Sequence, residues 1–164
     1  MTTDAYLIDI SEMDLEPLID AWQWMFDEDD EIEPWLMNCF GDLFFLDGDG
    51  VVLWLNISDG ELSEVAASED ELTQMLENDE HFSDWFLPGL VDDLLDAGKV
   101  LKPGECFAFR NLPVLGGEYE VDNVIVCSIR QYWEFCGSVH SQVSGLPDGT
   151  EIEIKVTNWP PAAQ

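Results

Sequence analysis

Residues 43–66 constrain the fold of this chain most. Leu43, Phe44, Phe45 and Leu46 form an apolar run of strand length. Asp47-Gly48-Asp49-Gly50 interrupts it, and residues 51–55 resume it as Val-Val-Leu-Trp-Leu. Gly and Asp supply the unusual backbone angles and local hydrogen bonds of a tight turn, so two such runs around this insert fold back antiparallel. Ser58-Asp59-Gly60 repeats the device and leads into a third run at residues 61–66. The spacing predicts a β-meander.

Helical patterns flank it. Leu15, Leu18, Ile19, Trp22, Met25 and Phe26 recur at helical spacing, with Ser11 and Asp14 as caps and Pro17 in the first turn, which predicts a helix over residues 11–26. Residues 34–40 read as a short helix ended by Gly41. Ser68-Glu69-Asp70-Glu71 is a capping-box pattern before Leu72, Met75 and Leu76. A further helical stretch carries Phe82, Trp85, Phe86, Leu90, Val91, Leu94 and Leu95; Pro88 must restart it and Gly98 closes it. Residues 105–109 and 121–127 read as strands around a Pro- and Gly-containing loop at 111–117. Ser128 caps a helix whose Ile129, Tyr132, Trp133, Cys136, Val139 and Val143 share one side. A turn at 145–149, a strand at 151–156 and a Pro-rich tail at 158–164 complete the chain. A meander with helices before and after it predicts an α+β fold, with residues 1–164 as a single domain.

The charge restricts function. Asp and Glu number 36 against five Lys and Arg, for a formal net charge of -31. Hydrophobic residues make up 46%, including seven Trp and nine Phe, so the chain has the material for a core despite its acidity. A field of this sign repels nucleic acid and anionic membranes, and it speeds the capture of a basic protein. Residues 1–9 lack a basic, apolar leader pattern, and no apolar run is long enough to span a bilayer. Cys39, Cys106, Cys127 and Cys136 lie far apart in apolar neighbourhoods. Reduced, buried thiols in a cytoplasmic protein are therefore expected.

Catalytic and metal-binding patterns are weak. Asp47-x-Asp49 resembles the start of a calcium loop, but position 58, where such a loop needs Glu, is Ser. His81 and His140 each stand alone, His140 as a structural residue and His81 near a helix start. No GxSxG, P-loop, GxGxxG or HExxH occurs. Leu115-Gly116-Gly117 suits a tight turn better than a phosphate cradle, because Glu118 and Glu120 follow it. No catalytic residue, metal or cofactor is expected. The sharpest remaining feature is the acidic run Asp27, Glu28, Asp29, Asp30 and Glu31, flanked by Trp22, Trp24 and Trp35. Trp24 falls off the apolar helical face, and an exposed Trp beside carboxylates suits a protein interface. Asp47, Asp49, Glu118 and Glu120 are the next candidate contacts.

The segment 104–109, Gly-Glu-Cys-Phe-Ala-Phe, followed by Pro113 to Tyr119 as Pro-Val-Leu-Gly-Gly-Glu-Tyr and by Asn123-Val124, resembles the GAD-like domain family of type VI secretion immunity proteins. Phe40-Gly41, residues 43–55 and Ala66-Ala67-Ser68 are similar to the N-terminal part of that family. The resemblance runs over roughly residues 13–156, with its most specific part at 104–124. It implies an α+β fold and a non-enzymatic inhibitor whose partner is a cognate basic nuclease toxin, a DNase of the GHH-signature class. The expected complex is a 1:1 heterodimer of monomers in which the acidic surface occludes the active site or DNA-binding groove. The rival expectation is a small-molecule-binding regulatory module, with a pocket between the meander and the helices.

Overall fold

A computed structural model describes residues 6–11, 13–26, 31–113 and 116–143. The fold is α+β. Five antiparallel strands form one sheet in sequence order: β1 (Leu7–Ile8), β2 (Glu33–Asn38), β3 (Leu43–Leu46), β4 (Val52–Asn56) and β5 (Glu61–Ala66). The meander of residues 43–66 is thus present as β3, β4 and β5, with Leu46 opposite Val52 and Asn56 opposite Glu61. A separate ribbon pairs β6 (Glu105–Phe109) with β7 (Val124–Ser128). The helices are α1 (Glu16–Asp20), α2 (Glu69–Met75), α3 (Asp79–Phe86), α4 (Pro88–Asp96) and α5 (Ile129–Val143).

The unbroken apolar run in β3 has a physical cause: both faces of the sheet are covered. Leu43 and Phe45 point into one core, built with α4, α5 and the β6–β7 ribbon. Phe44 and Leu46 point into a second core, under α2 and α3. Successive strand residues face opposite sides, so a strand buried on both faces has no polar positions to show. Phe44 is the hinge of the second core, stacked on Trp54 and Phe86 and edge-on to Trp85 at ring separations of 5.7–5.8 Å.

Helix punctuation follows the side chains. Ser68 Oγ accepts the Glu71 amide at 3.1 Å and starts α2, and Ser128 Oγ accepts the Gln131 amide at the start of α5. Asn78 caps α3 through the Glu80 amide. Leu87, at φ 48°, ends α3 in the left-handed region, and Pro88 opens α4 behind it.

Three expected elements come out differently. Residues 34–40 form strand β2 rather than a helix. Trp35 and Leu36 pack toward one core and Met37 toward the other, a run for which helical and two-sided strand patterns coincide. The helix expected over 11–26 shrinks to α1 and a 3-10 turn at Gln23–Met25. Leu15 at its start offers no capping side chain, and Trp22 turns inward to donate to the Trp133 carbonyl at 3.1 Å. The strand expected from 121 begins at Val124. Asn123 ends a 3-10 turn, where its side chain bonds Asn111 and Glu118. The expected turn at 145–149, strand at 151–156 and tail lie outside the described residues.

Candidate interaction surface

The expected contact residues separate into two groups at opposite ends of β4. The first surrounds the β3–β4 turn. Asp47 Oδ1 accepts the amides of Asp49 and Val51 at 2.9 and 3.0 Å, so Asp47 builds the turn with that oxygen. Asp49 stands exposed at its tip. Glu31 lies over the same turn: a Cβ on Gly48 would stand 2.7 Å from Glu31 Oε2. Glu33, exposed and opposite Leu46, adds a fourth carboxylate to this corner. Asp27, Glu28, Asp29 and Asp30 lie outside the described residues.

The second group gathers around the β4–β5 turn and the loop before β7. Glu118 and Glu120 stand close enough that the Glu118 charge, then a hydrogen bond between them, raises the Glu120 carboxyl above its ordinary value. Tyr119 between them is 48% exposed and reaches Asp59 Oδ2 at 3.5 Å, the outer limit of a hydrogen bond. Burial and then the Asp59 charge push the Tyr119 phenol up to about 12. Burial likewise raises the Asp59 carboxyl, against the pull of the Tyr119 hydroxyl. Trp24, in the 3-10 turn Gln23–Met25, is 40% exposed and stacks on buried Trp22 at 5.5 Å. Trp22 in turn lies 5.6 Å from the His140 ring, which packs on Gly60 in the β4–β5 turn.

Beneath the surface lies a polar cluster that sequence reasoning missed. Asp42, in the β2–β3 turn, is buried and accepts the Asn38 amide group and the Ile57 backbone N–H, each at 3.0 Å. Asn38 Oδ1 accepts the amides of Phe40 and Asp42, and its Nδ2 also donates to the Trp85 carbonyl. His140 Nε2 meets the Ile57 carbonyl at 2.9 Å. Ile57 is thus held through its N–H by Asp42 and through its carbonyl by α5. Burial pushes the Asp42 carboxyl up to about 7, opposed by the Asn38 and Ile57 hydrogen bonds. Burial lowers His140. The signal in the sequence is Asn38 and Asp42 on either side of Gly41 between apolar runs, a pattern that also reads as a helix end.

All four cysteines are buried thiols, as expected. Burial raises Cys39 to about 11 and Cys106 and Cys136 well above the ordinary value, which opposes thiolate formation. His140 is the structural histidine its apolar neighbours suggested, and His81 stacks on Trp85 in the first turns of α3. No helix among the described residues is long and apolar enough to cross a membrane.

The family comparison joins this geometry at the ribbon and α5. Residues 66–140 match the family model described as T6SS immunity protein Tdi1, C-terminal. Through this stretch the chain is similar to type VI secretion immunity proteins, the broad class that the 104–124 resemblance implied. The match takes in α2, α3, α4, both ribbon strands and most of α5, slightly less than half of the chain. It contains Glu118 and Glu120 but not Trp24, Glu31, Asp47 or Asp49. None of the curated proteins matches the chain.

Proposed function

We propose that this protein binds and inhibits a cognate secreted DNase toxin in the bacterial cytoplasm, as a non-enzymatic immunity protein that needs no cofactor. The observation that carries the reading is the immunity-protein match over residues 66–140 in a chain of net charge -31. A DNase must hold a polyanion, and duplex DNA presents about one charge per 1.7 Å of its axis. The run Asp27, Glu28, Asp29 and Asp30 that precedes Glu31 in the sequence adds to the charge, and Glu31, Asp47 and Asp49 offer carboxylates from one end of β4. Glu118, Glu120 and Asp59 offer them from the other, with Trp24 and Tyr119 as aromatic anchors. The strand between spans roughly 17 Å, a scale that suits a groove built for several phosphates. Carboxylates seated there displace the DNA and steer the encounter.

The test is to mix the purified chain with the nuclease encoded by the adjacent reading frame. Cleavage of duplex DNA should stop at a molar ratio near one, and light scattering should show a 1:1 complex. Undiminished cleavage with no complex would rule the proposal out.

A further inference from the structure

The sheet has an open flank on the outer side of β2. Strand β1 pairs only with Met37 and Asn38, and among the described residues no strand pairs with the outer edge of residues 33–36. Beyond Ile8 the chain, described at residues 9–11 and 13–15, borders the other side of that edge. The gap between it and β2 is an open cleft of about 770 Å³ whose apolar walls include Ile10, Met13, Leu15, Trp35 and Leu36. The register slips between Pro34 and Leu36, so Trp35 is an extra residue of a bulge and stands out of step with β3. Unpaired strand edges are templates for an added strand, and natural sheets normally blunt them. Here Pro34 and the bulge blunt the edge only in part, and apolar side chains line the space beside it.

Charge selects the occupant. Glu33 begins β2 at one end of the cleft, and Glu31 and Asp49 stand beside it at the acidic corner. Among the described residues, Asp9 is the only charged one in the cleft wall. The Ser11 hydroxyl and amide both bond its Oδ1, at 2.7 and 3.0 Å. Among the described cations, Lys102 lines a neighbouring cleft of about 530 Å³, and Arg130 a third of about 270 Å³.

We infer that this cleft and the acidic corner form one docking surface for an extended segment of the toxin, in which apolar residues alternate with Lys or Arg. The segment adds a strand to the outer edge of β2, its apolar side chains enter the cleft, and its cations meet Glu33, Glu31 and Asp49. The inference rests on the proposed function and adds a main-chain contact to its electrostatic one. It also places this contact outside the stretch that matches the immunity family.

Hydrogen exchange on the complex of the chain with the adjacent-frame nuclease tests it directly. Amides of residues 7–10 and of Glu33, Trp35 and Leu36 should gain protection on binding. Ile10→Arg, which puts a cation into the half-exposed wall, should weaken binding at least tenfold with an unchanged circular dichroism spectrum, while the pair Glu118→Gln and Glu120→Gln should weaken it less. A complex that forms and inhibits with no new protection in those amides overturns the docking surface and leaves the immunity function standing. So does Ile10→Arg binding as tightly as the wild type. Absence of any complex, with full nuclease activity, overturns both.

Discussion

Asp42 should make the stability of this protein fall as pH rises from 3.8 to about 7. Its carboxyl has an ordinary value of 3.8 and is raised to about 7 in the folded state, first by burial and further by the Asp59 charge. A raised folded-state value means that the native state holds a proton which the unfolded chain has already released. The contribution is therefore complete below 3.8 and is lost as pH climbs through about 7. Over that window the loss is about 1.4 kcal/mol per pH unit, or about 4 kcal/mol in all. That is a large part of the 5–15 kcal/mol typical of a folded domain. The Cys106, Cys136 and Tyr132 side chains near Asp42 are all held well above their ordinary values by burial, so they titrate above the window. The assay is urea unfolding followed by Trp fluorescence, from about pH 4 to about pH 8, for the wild type and Asp42→Asn. The variant keeps an acceptor for the Ile57 amide but turns an NH₂ toward Asn38. That defect costs about 1–3 kcal/mol at every pH. Both proteins carry the same surface carboxylates, so the difference between the curves reports on Asp42 and on the Asp59 charge that acts on it. It should move by about 4 kcal/mol in favour of the variant as pH rises. Parallel curves would refute the reasoning, and would mean that Asp42 stays ionised on its Asn38 and Ile57 hydrogen bonds despite its burial.

Gly137→Ala should lower stability by about 1–3 kcal/mol, because the new Cβ meets the backbone where α5 crosses the end of α1, at 2.5 Å from the Ala21 carbonyl oxygen; a calorimetric melt checks it. His140→Ala removes the bond to the Ile57 carbonyl and the packing on Trp22, and should cost about 2–4 kcal/mol in the same assay. Burial keeps His140 below its ordinary value of 6.5, so the wild type should also lose stability as pH falls through that value, a dependence the variant lacks. Association with the toxin should slow as salt rises, because a surface of net charge -31 recruits its partner through a screened field; stopped-flow rates that stay flat from about 0.05 to 0.5 M salt would show that the charge does not steer.

The meander was legible because Asp-Gly turns between apolar runs leave the chain one way to fold, and Asp47 bonds its own turn amides as such residues do. The α2 cap was legible for the same reason: Ser68 and Glu71 are neighbours in sequence. Strand β2 was not, since its two-sided burial depends on α3 and α5, which lie about 50 and 100 residues away. The site divides along the same line. Trp24 is exposed as expected, but in a 3-10 turn and not on the helix whose phase predicted it. Whether Glu31, Asp49 and Glu118 form one surface or two depended on strand register, which no local pattern carries. The Asn38–Asp42 pair looked like an ordinary turn because its partners, Ile57, Trp85 and through Ile57 His140, are contributed by distant segments.

That buried pair bears on how so acidic a surface holds its shape. Carboxylates crowded at both ends of β4 repel one another, and the strain falls on the turns that carry them. The β4–β5 turn, which presents Asp59 and supports Tyr119, is gripped at Ile57 by Asp42 from the sheet and by His140 from α5. Gly60 completes the grip: it lies at φ 72° directly against the His140 ring, where any side chain would collide. Among the described residues, the β3–β4 turn is held by the bonds of its own Asp47 and by the ladder behind it, with Glu31 lying over Gly48. One acidic end is therefore braced by the core and belongs, through His140 and Glu118, to the family-matched stretch. The other projects beside an open strand edge outside that stretch. A rigid carboxylate patch suits the fixed spacing of phosphates in a nuclease groove, whereas a less constrained corner beside an unpaired edge suits a partner segment that adopts its conformation as it binds.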